Sequence, residues 1–282
     1  MAVLGVQMMM LKDKVVDEGM YSVLQKVKDL GYDSVEVSQI PMTHENVAAL
    51  ERAVAELGLD IGALSVALKP GPTATGDNLT EHFDKIVADC TRLGSRFVRI
   101  GMMPFDAMAS KSACEAWAAE CEGAARRLAA EGITLCYHNH HVDLAQFDGE
   151  RIFDIVRRLA PSLGFEVDLH WVQRGGMAPL DMLERYAGVC KLIHVKDFRV
   201  APLPPAAMEL LQRGDMAGFF DVFVNLAQFA EVGSGNMDWP KLLPAANAAG
   251  AEYFFVEQDE TYGRDPYDCL AESRAYLRSI GY

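Results

Sequence analysis

"SVEVSQIPMTHENVAALERAVAELGLDIGALSV", residues 34–66, contains a strand, a helix and a second strand in succession. The runs at 34–38 and 61–66 are short and largely apolar, as expected of strands in a sheet that is covered by helices. Between them, residues 44–58 have apolar side chains at helical spacing, and Gly58 is the residue type that commonly follows a helix. This order predicts two parallel strands that are joined by a right-handed crossover.

The same unit recurs along the chain. Helices like the one at 44–58 are predicted at 79–94 and 114–132, and further strands at 3–7, 97–100, 134–138, 164–168, 191–195 and 253–257. Eight strand–helix units in 282 residues predict an α/β protein with a single closed (β/α)₈ barrel over residues 1–282. No G-x-G-x-x-G motif follows the first strand, so a dinucleotide-binding fold lacks its main support.

One segment, residues 199–236, interrupts this repeat between the seventh strand and the helix that "DWPKLL" begins. Its prolines are followed by an amphipathic run, which predicts an insert with one or two helices at the C-terminal rim of the barrel. The stretch "FFDVFV" at 219–224 is too apolar to lie free on a monomer. We therefore expect the insert to cover the substrate or a second subunit, which predicts a homo-oligomer, or a partner subunit as the alternative.

Composition restricts the partners and the compartment. The formal net charge of −14 disfavours binding to nucleic acid or to anionic membrane surfaces. The N-terminus has no basic lead before its apolar run, and no segment reaches the roughly 18 apolar residues that a membrane-spanning helix needs. The six cysteines form no C-x-x-C pair, which indicates reduced thiols. We expect a cytoplasmic protein that acts on a small molecule, without nucleic-acid or membrane partners.

Polar residues stand where four consecutive strands end, which is where parallel barrels have their active sites. The alternation of side chains along a strand turns these residues toward the barrel interior: His138, His140, Glu166, Asp168, His194 and Glu257. Because neighbouring strands are about 4.8 Å apart, such a set can close around one divalent ion. Glu36 also points inward from the second strand, and it either joins the site or pairs with Arg99.

Several of these stretches resemble the xylose isomerase-like TIM-barrel superfamily, the sugar phosphate isomerase/epimerase group that includes ketose 3-epimerases and inosose dehydratase. The resemblance covers nearly the whole chain outside 199–230 and is specific for the fold and a metal site, but not for a substrate. It rests on "GVQ" at 5–7, "LGYDSVEVS" at 30–38, "YHNH" at 137–140, "EVDLHWVQRGG" at 166–176, "LIHVKD" at 192–197, "EVGSGNMDW" at 231–239 and "FVEQDE" at 255–260.

The resemblance implies a metal-ligand set with one departure. The superfamily's usual ligands are glutamate, aspartate, histidine and glutamate on strands five to eight, and the last three match Asp168, His194 and Glu257. The first position is His138 in this chain. We expect Asp143, an acidic residue three places beyond the second histidine of "YHNH", to supply the missing carboxylate, with direct ligation by His138 as the alternative. The expected cofactor is one divalent ion, Mn²⁺ first, with Mg²⁺, Co²⁺ and Zn²⁺ as alternatives.

These residues permit proton transfer next to a carbonyl, with a metal stabilising the enediolate that forms. We expect His140 to move the proton, Glu257 to combine ligation with acid–base work, and His138 to take part in the chemistry if Asp143 is the ligand. The predicted function is a metal-dependent sugar isomerase or epimerase. Because histidine can also protonate a leaving oxygen, a lyase is the alternative, either a dehydratase or a β-eliminating enzyme for a keto-sugar, 3-keto-glycoside or inosose.

Four residues are predicted to bind the substrate: Glu36, His170, Arg174 and Lys196. His170 follows Asp168 closely enough to reach the same cavity. Arg174 lies after the sixth strand near the barrel mouth, and Lys196 lies just beyond His194. Either cation could hold a hydroxyl or phosphate group, and a surface ion pair is an equally good interpretation of each.

Overall fold

Eight parallel strands close into a barrel in the computed structural model, which describes residues 1–71 and 76–282. The barrel strands are β1 Val3–Gln7, β2 Ser34–Val37, β3 Asp60–Val66, β4 Phe97–Ile100, β5 Thr134–His138, β8 Gly164–Asp168, β9 Cys190–Val195 and β12 Tyr253–Val256, and a two-residue hairpin is formed by β6 Gln146–Phe147 and β7 Glu150–Arg151. Around the barrel the order is β1-β12-β9-β8-β5-β4-β3-β2, and every neighbouring pair is parallel. The predicted (β/α)₈ barrel is confirmed.

Helices surround the barrel and begin and end where the sequence indicates. The Oγ1 atom of Thr43 accepts a hydrogen bond from the Asn46 N–H at 3.2 Å, and Gly58 closes the same helix with a φ of 60°. The helices outside the insert are α1 Lys12–Glu18, α2 Met20–Asp29, α3 His44–Leu57, α4 Phe83–Leu93, α5 Lys111–Ala130, α6 Ile152–Leu159, α7 Leu169–Arg174, α8 Pro179–Arg185, α11 Trp239–Ala249 and α12 Pro266–Ser279, with 3₁₀ turns at Met8–Leu11 and His141–Leu144.

The barrel interior is apolar at one end and polar at the other. Its apolar layer consists of Ala63, Phe97, Cys136, Leu192, Tyr253 and Phe255. Inward positions recur every second residue, and the inward residues that follow this layer are polar or charged: Ser65, Arg99, His138, His194 and Glu257. The apolar layer therefore forms the floor on which the polar residues of the strand ends rest.

One or two helices were predicted in the insert, and it contains two, α9 Pro205–Gln212 and α10 Met216–Val224, together with a hairpin that the sequence analysis missed. Strand β10 Asp197–Val200 pairs antiparallel with β11 Ala227–Ala230. The carboxylate of Asp197 accepts hydrogen bonds from Gly233 N–H and Trp239 Nε1 at 3.0 and 2.8 Å, which ties the hairpin to the chain that follows it. Helix α10 buries none of its residues.

Two further observations concern the environment of the protein. In residues 1–71 and 76–282, no helix is long and apolar enough to cross a bilayer. All six cysteines are buried with free thiols, in line with the reduced state that their spacing predicts.

Candidate metal and substrate site

Four side chains from four barrel strands meet at the C-terminal ends of the strands. One ligand atom of each lies within 4.8 Å of the corresponding atoms of the others, and all four residues are buried: His138, Asp168, His194 and Glu257. The parallel register explains their common depth, since Asp168 pairs with His194 and His194 pairs with Phe255, two residues before Glu257. The strand ends therefore bring together the three ligands that the resemblance implies, with His138 as the fourth.

Each of these side chains has one polar atom engaged by the protein. Nδ1 of His138 donates to the Gly101 carbonyl at 3.1 Å, so its proton is on Nδ1. Oδ1 of Asp168 accepts from the backbone N–H of the residue three positions later at 2.9 Å. Nε2 of His194 lies 3.1 Å from a Glu36 oxygen, and Oε1 of Glu257 accepts from a glutamine Nε2 at 2.8 Å.

The other polar atom of each side chain faces the interior of the cluster: His138 Nε2, Asp168 Oδ2, His194 Nδ1 and Glu257 Oε2. Among the described residues these four atoms contact one another and Lys196, as in the distance of 2.8 Å between His194 Nδ1 and Glu257 Oε2. A metal-binding histidine commonly uses its second nitrogen in a hydrogen bond that fixes the ring, as both histidines do here. Four ligand atoms that face one another, two from imidazoles and two from carboxylates, fit a divalent transition-metal ion.

The charges of the four residues also suit a cation. Burial acts to raise the pKa of Asp168 and Glu257, but Lys196 and neighbouring histidines hold the pKa of each carboxyl well below its usual range. Burial and the charge of His194 lower the pKa of His138 to about 4. Burial also acts to lower the pKa of His194, but nearby glutamates raise it well above its usual value. An ion would therefore meet two carboxylates and a neutral His138, and would displace a proton from His194.

Lys196 lies beside this cluster and is almost fully buried. Its Nζ is 2.8 Å from Glu257 Oε2, 3.4 Å from Asp168 Oδ2 and 2.6 Å from Asp259 Oδ1, and it lies 5.1 Å from the centroid of the Trp171 ring. Asp259 was not among the predicted site residues. Its position two residues beyond Glu257 places it on the same side of the extended chain, which is the signal that could have found it.

A second polar layer lies beneath the cluster. Nε of Arg99 donates to Glu36 at 2.7 Å and lies 3.3 Å from Glu166, and both glutamates are within 3.2 Å of Nε2 of His194. Burial acts to raise the pKa of Glu36, but Arg99 and His194 hold it below its usual range. Burial and Glu36 raise the pKa of Glu166 to about 8. Glu36 thus pairs with Arg99, one of the two predicted outcomes, and contacts His194, while the cavity wall formed by the described residues does not include it.

His140 and Asp143 occupy different surroundings. His140 lines the cavity described below, and burial together with the charge of His138 lowers the pKa of His140 to about 2, so its ring is neutral. Asp143 is fully buried, and its two oxygens accept from the hydroxyl of Tyr137 and the backbone N–H of His140. Asp143 is outside the cluster of potential ligands. The cluster thus contains His138, the alternative fourth ligand of the sequence analysis, and not Asp143, the preferred one.

The two remaining predicted substrate contacts, His170 and Arg174, do not belong to the cluster. His170 is buried under the insert hairpin, where its ring stacks on Phe229 at 5.1 Å and meets Phe198 edge-on at 5.0 Å, and within residues 1–71 and 76–282 neither ring nitrogen has a hydrogen-bond partner. Arg174 is exposed, with its guanidinium 5.9 Å from the centroid of the Phe198 ring. The cavity wall formed by the described residues includes neither of them.

Comparison with known proteins places this geometry in a family. A family model described as a xylose isomerase-like TIM barrel matches residues 24–280. The chain belongs to this family. The resemblance found in the sequence is thereby confirmed. Among curated proteins, none is detectably similar to the chain in sequence.

Several solved structures share the barrel. A sugar phosphate isomerase/epimerase from Parabacteroides distasonis ATCC 8503 is 19% identical, with a TM-score of 0.73 over 99% of this chain and 94% of that one. An L-ribulose 3-epimerase is 16% identical, with a TM-score of 0.70 over 99% and 94%. The probable 3-DHS dehydratase AsbF from Bacillus anthracis is 12% identical, with a TM-score of 0.68 over 99% of both chains. At these identities the likeness shows the fold alone.

In this xylose isomerase-like barrel, a cavity of about 860 Å³ opens beside the cluster. Its inner wall is polar and contains Gln7, Ser38, Arg99, His138, His140, Lys196, Glu257 and Asp259. Its outer wall is formed by the loops after β3 and β4 and by α5. A molecule that enters the cavity thus meets the candidate ligands His138 and Glu257, the neutral imidazole of His140, and the cations of Lys196 and Arg99.

Proposed function

We propose that the chain is a divalent-metal-dependent isomerase or epimerase of a small carbohydrate. The observation that carries this proposal is the convergence of four potential ligand atoms, from His138, Asp168, His194 and Glu257, within 4.8 Å of one another at the inner end of a cavity. Membership of the xylose isomerase-like family supports it, as do solved neighbours that are named as a sugar phosphate isomerase/epimerase and an L-ribulose 3-epimerase. Two imidazoles and two carboxylates suit Mn²⁺ better than Mg²⁺, so Mn²⁺ is the proposed ion.

Each inner-wall residue has a role in this proposal. A divalent ion held by the four ligands would act as a Lewis acid and favour the negative charge of an enediolate. Lys196, fixed by contacts with Glu257 and Asp259, donates a hydrogen bond to a substrate oxygen. Ser38 and Arg99 contact each other at 3.0 Å on the same wall and bind further hydroxyl groups.

Proton transfer is assigned to His140. Its ring is neutral at physiological pH, because its pKa is lowered to about 2, and it lines the cavity beside His138, whose ring centroid is 4.7 Å away. A neutral imidazole accepts the proton from the carbon next to the carbonyl and returns it to a neighbouring carbon or to the opposite face. Glu257, ionised and held by Gln7, is the second acid–base group on this wall.

A lyase is the second candidate, and one observation favours it. Where the resemblance implies a glutamate, this chain has an imidazole, His138, and a second imidazole, His140, lines the cavity beside it. Once protonated, an imidazole can deliver its proton to a leaving oxygen, which converts deprotonation into elimination. The probable dehydratase among the solved neighbours agrees with this alternative.

Reaction in D₂O tests the proposal and separates the two outcomes. The Mn²⁺-loaded protein is incubated with ketoses and 3-keto-glycosides, and the products are followed by NMR and mass spectrometry. Isomerisation or epimerisation introduces deuterium at carbon and otherwise conserves the molecular formula, whereas a lyase releases water or the glycosidic group. His140→Asn should lower the rate about 10²–10⁴-fold with normal metal content. The control is His141→Asn, which changes the adjacent, exposed histidine and should stay active. Absence of Mn²⁺-dependent deuterium incorporation from every substrate would count against both functions.

A further inference from the structure

The cavity extends well beyond the residues that would hold a reacting sugar. Its volume of about 860 Å³ lies near the upper end of the range of about 300–1,000 Å³ that is typical of pockets for drug-sized ligands. A single sugar ring placed against His138, His140 and Glu257 would fill the inner part only. The outer part, between the loops at 66–71 and 100–107 and the first half of α5, remains for another portion of the ligand.

The outer wall is largely apolar. It is lined by Leu68, Pro70, Met102, Pro104, Ala113 and Trp117. Phe105, which stands in sequence between the lining residues Pro104 and Asp106, is 65% exposed. Pockets for small molecules are lined predominantly by apolar and aromatic side chains, and the outer wall is of this kind.

The charged groups of the outer wall balance, since it has two lysines, Lys12 and Lys69, and two carboxylates, Asp106 and Glu120. Nζ of Lys69 lies 2.7 Å from a carboxylate oxygen of Glu120, and Nζ of Lys12 donates to Gln39 at 2.9 Å. Asp106 adds a second acidic group to this part of the wall. A phosphate bound here would have to displace these contacts and would face two carboxylates, so a neutral group fits this wall better.

We propose that the outer part of the cavity binds an uncharged apolar substituent of the sugar, so that the substrate is a glycoside with an aromatic or aliphatic group and not a free ketose or a sugar phosphate. This inference rests on the proposed function for the position of the reacting sugar. It adds a determinant of specificity that consists of the loop residues Leu68 and Met102 together with Trp117 of α5.

Binding of two glucosides that do not react measures this subsite independently of catalysis. Methyl and phenyl β-D-glucopyranoside differ only in the group that would enter the outer part. Titration calorimetry on the Mn²⁺-loaded protein should give at least tenfold tighter binding of the phenyl glucoside. Ala116→Trp should abolish this preference by filling the outer part. Ala119→Trp is the matched control, because both alanines are exposed on α5 but only Ala116 lines the cavity.

Each result has a defined meaning. Equal binding of the two glucosides, no binding of either, or a phenyl preference that survives Ala116→Trp would overturn the subsite. Tighter binding of D-glucose 6-phosphate than of the methyl glucoside would overturn its neutral character. Deuterium incorporation into the corresponding 3-keto-glucosides is measured separately. A phenyl preference without incorporation leaves the subsite in place and refutes the proton-transfer function, and incorporation without a preference does the reverse.

Discussion

Replacing His138 by asparagine tests the proposed ligand set most directly. In the wild type, Nδ1 of His138 donates a hydrogen bond to the Gly101 carbonyl at 3.1 Å. The asparagine side chain can still donate this hydrogen bond, but asparagine has no atom at the position of Nε2. One of four ligands is therefore lost while the local contact is retained. Changes to residues that only support a ligand cost about 10–100-fold in metal affinity, so loss of a ligand should cost at least about 100-fold.

The expected effect on thermal stability follows from mass action. At a Mn²⁺ concentration about 100 times the wild-type Kd, binding stabilises the folded protein by about 2.7 kcal/mol. A variant that binds about 100-fold more weakly gains only about 0.4 kcal/mol at the same concentration. With about 2–3 °C of Tm for each kcal/mol in a chain of this size, Mn²⁺ should raise the Tm by about 5–8 °C in the wild type and about 1 °C in His138→Asn. Scanning calorimetry with and without Mn²⁺ measures both values.

Asp143→Asn is the control for this experiment. Asp143 accepts hydrogen bonds from Tyr137 and His140, so the variant should unfold at a lower temperature without metal. Because Asp143 lies outside the ligand cluster, the full Mn²⁺-induced rise in Tm should remain. If Asp143→Asn lost this rise and His138→Asn kept it, the assignment of His138 as a ligand would be refuted.

Three further predictions concern pH, buried charge and assembly. Burial acts to lower the pKa of His194, but neighbouring glutamates raise it well above its usual value, so without metal the ring is protonated at pH 7. Mn²⁺ binding should therefore release about one proton, and the affinity for Mn²⁺ should increase as the pH rises from about 6 to about 8. Calorimetry in buffers of different ionisation enthalpy measures the number of protons released. Glu36→Gln should cost about 3–5 kcal/mol in denaturant unfolding, because its arginine partner stays buried, whereas Glu51→Gln in an exposed pair should change little. Phe220 and Phe223 are 52% and 54% exposed, so replacing both by serine should lower the mass of the predicted homo-oligomer in light scattering; an unchanged mass would contradict that role.

The barrel and most of its strand ends could be predicted because both depend on local patterns. Outward apolar residues alternate with inward ones along each strand, and the structure ends every barrel strand within one residue of its predicted end. Parallel pairing then places equivalent inward positions at one depth, as for Asp168 opposite His194. The alternation of inward and outward side chains along the strands was therefore sufficient to predict that His138, Asp168, His194 and Glu257 lie close together.

Positions beyond the strand ends could not be derived in this way. The chain turns into a 3₁₀ helix at His141–Leu144, so the alternation that orients His138 no longer applies to Asp143. The insert hairpin depends on hydrogen bonds between Asp197 and residues 36 to 42 positions away, such as Gly233 and Trp239, and local patterns do not contain such contacts. The sequence thus predicted the inner wall of the site better than its margins.

The polar layer beneath the candidate ligands shows how Glu36 can both pair with Arg99 and contribute to the site, the two outcomes that the sequence left open. Buried ion pairs such as Glu36 with Arg99 contribute little more to stability than apolar side chains of similar volume would. Their effect here is on His194, whose Nε2 lies 3.1 Å from Glu36 and 3.2 Å from Glu166. Because the two glutamates contact Nε2, the other ring nitrogen of His194, Nδ1, faces the remaining candidate ligand atoms. The layer therefore orients the candidate ligand His194, and the alternation of side chains along a strand, which assigns only an inward direction, cannot distinguish this role from binding of a substrate.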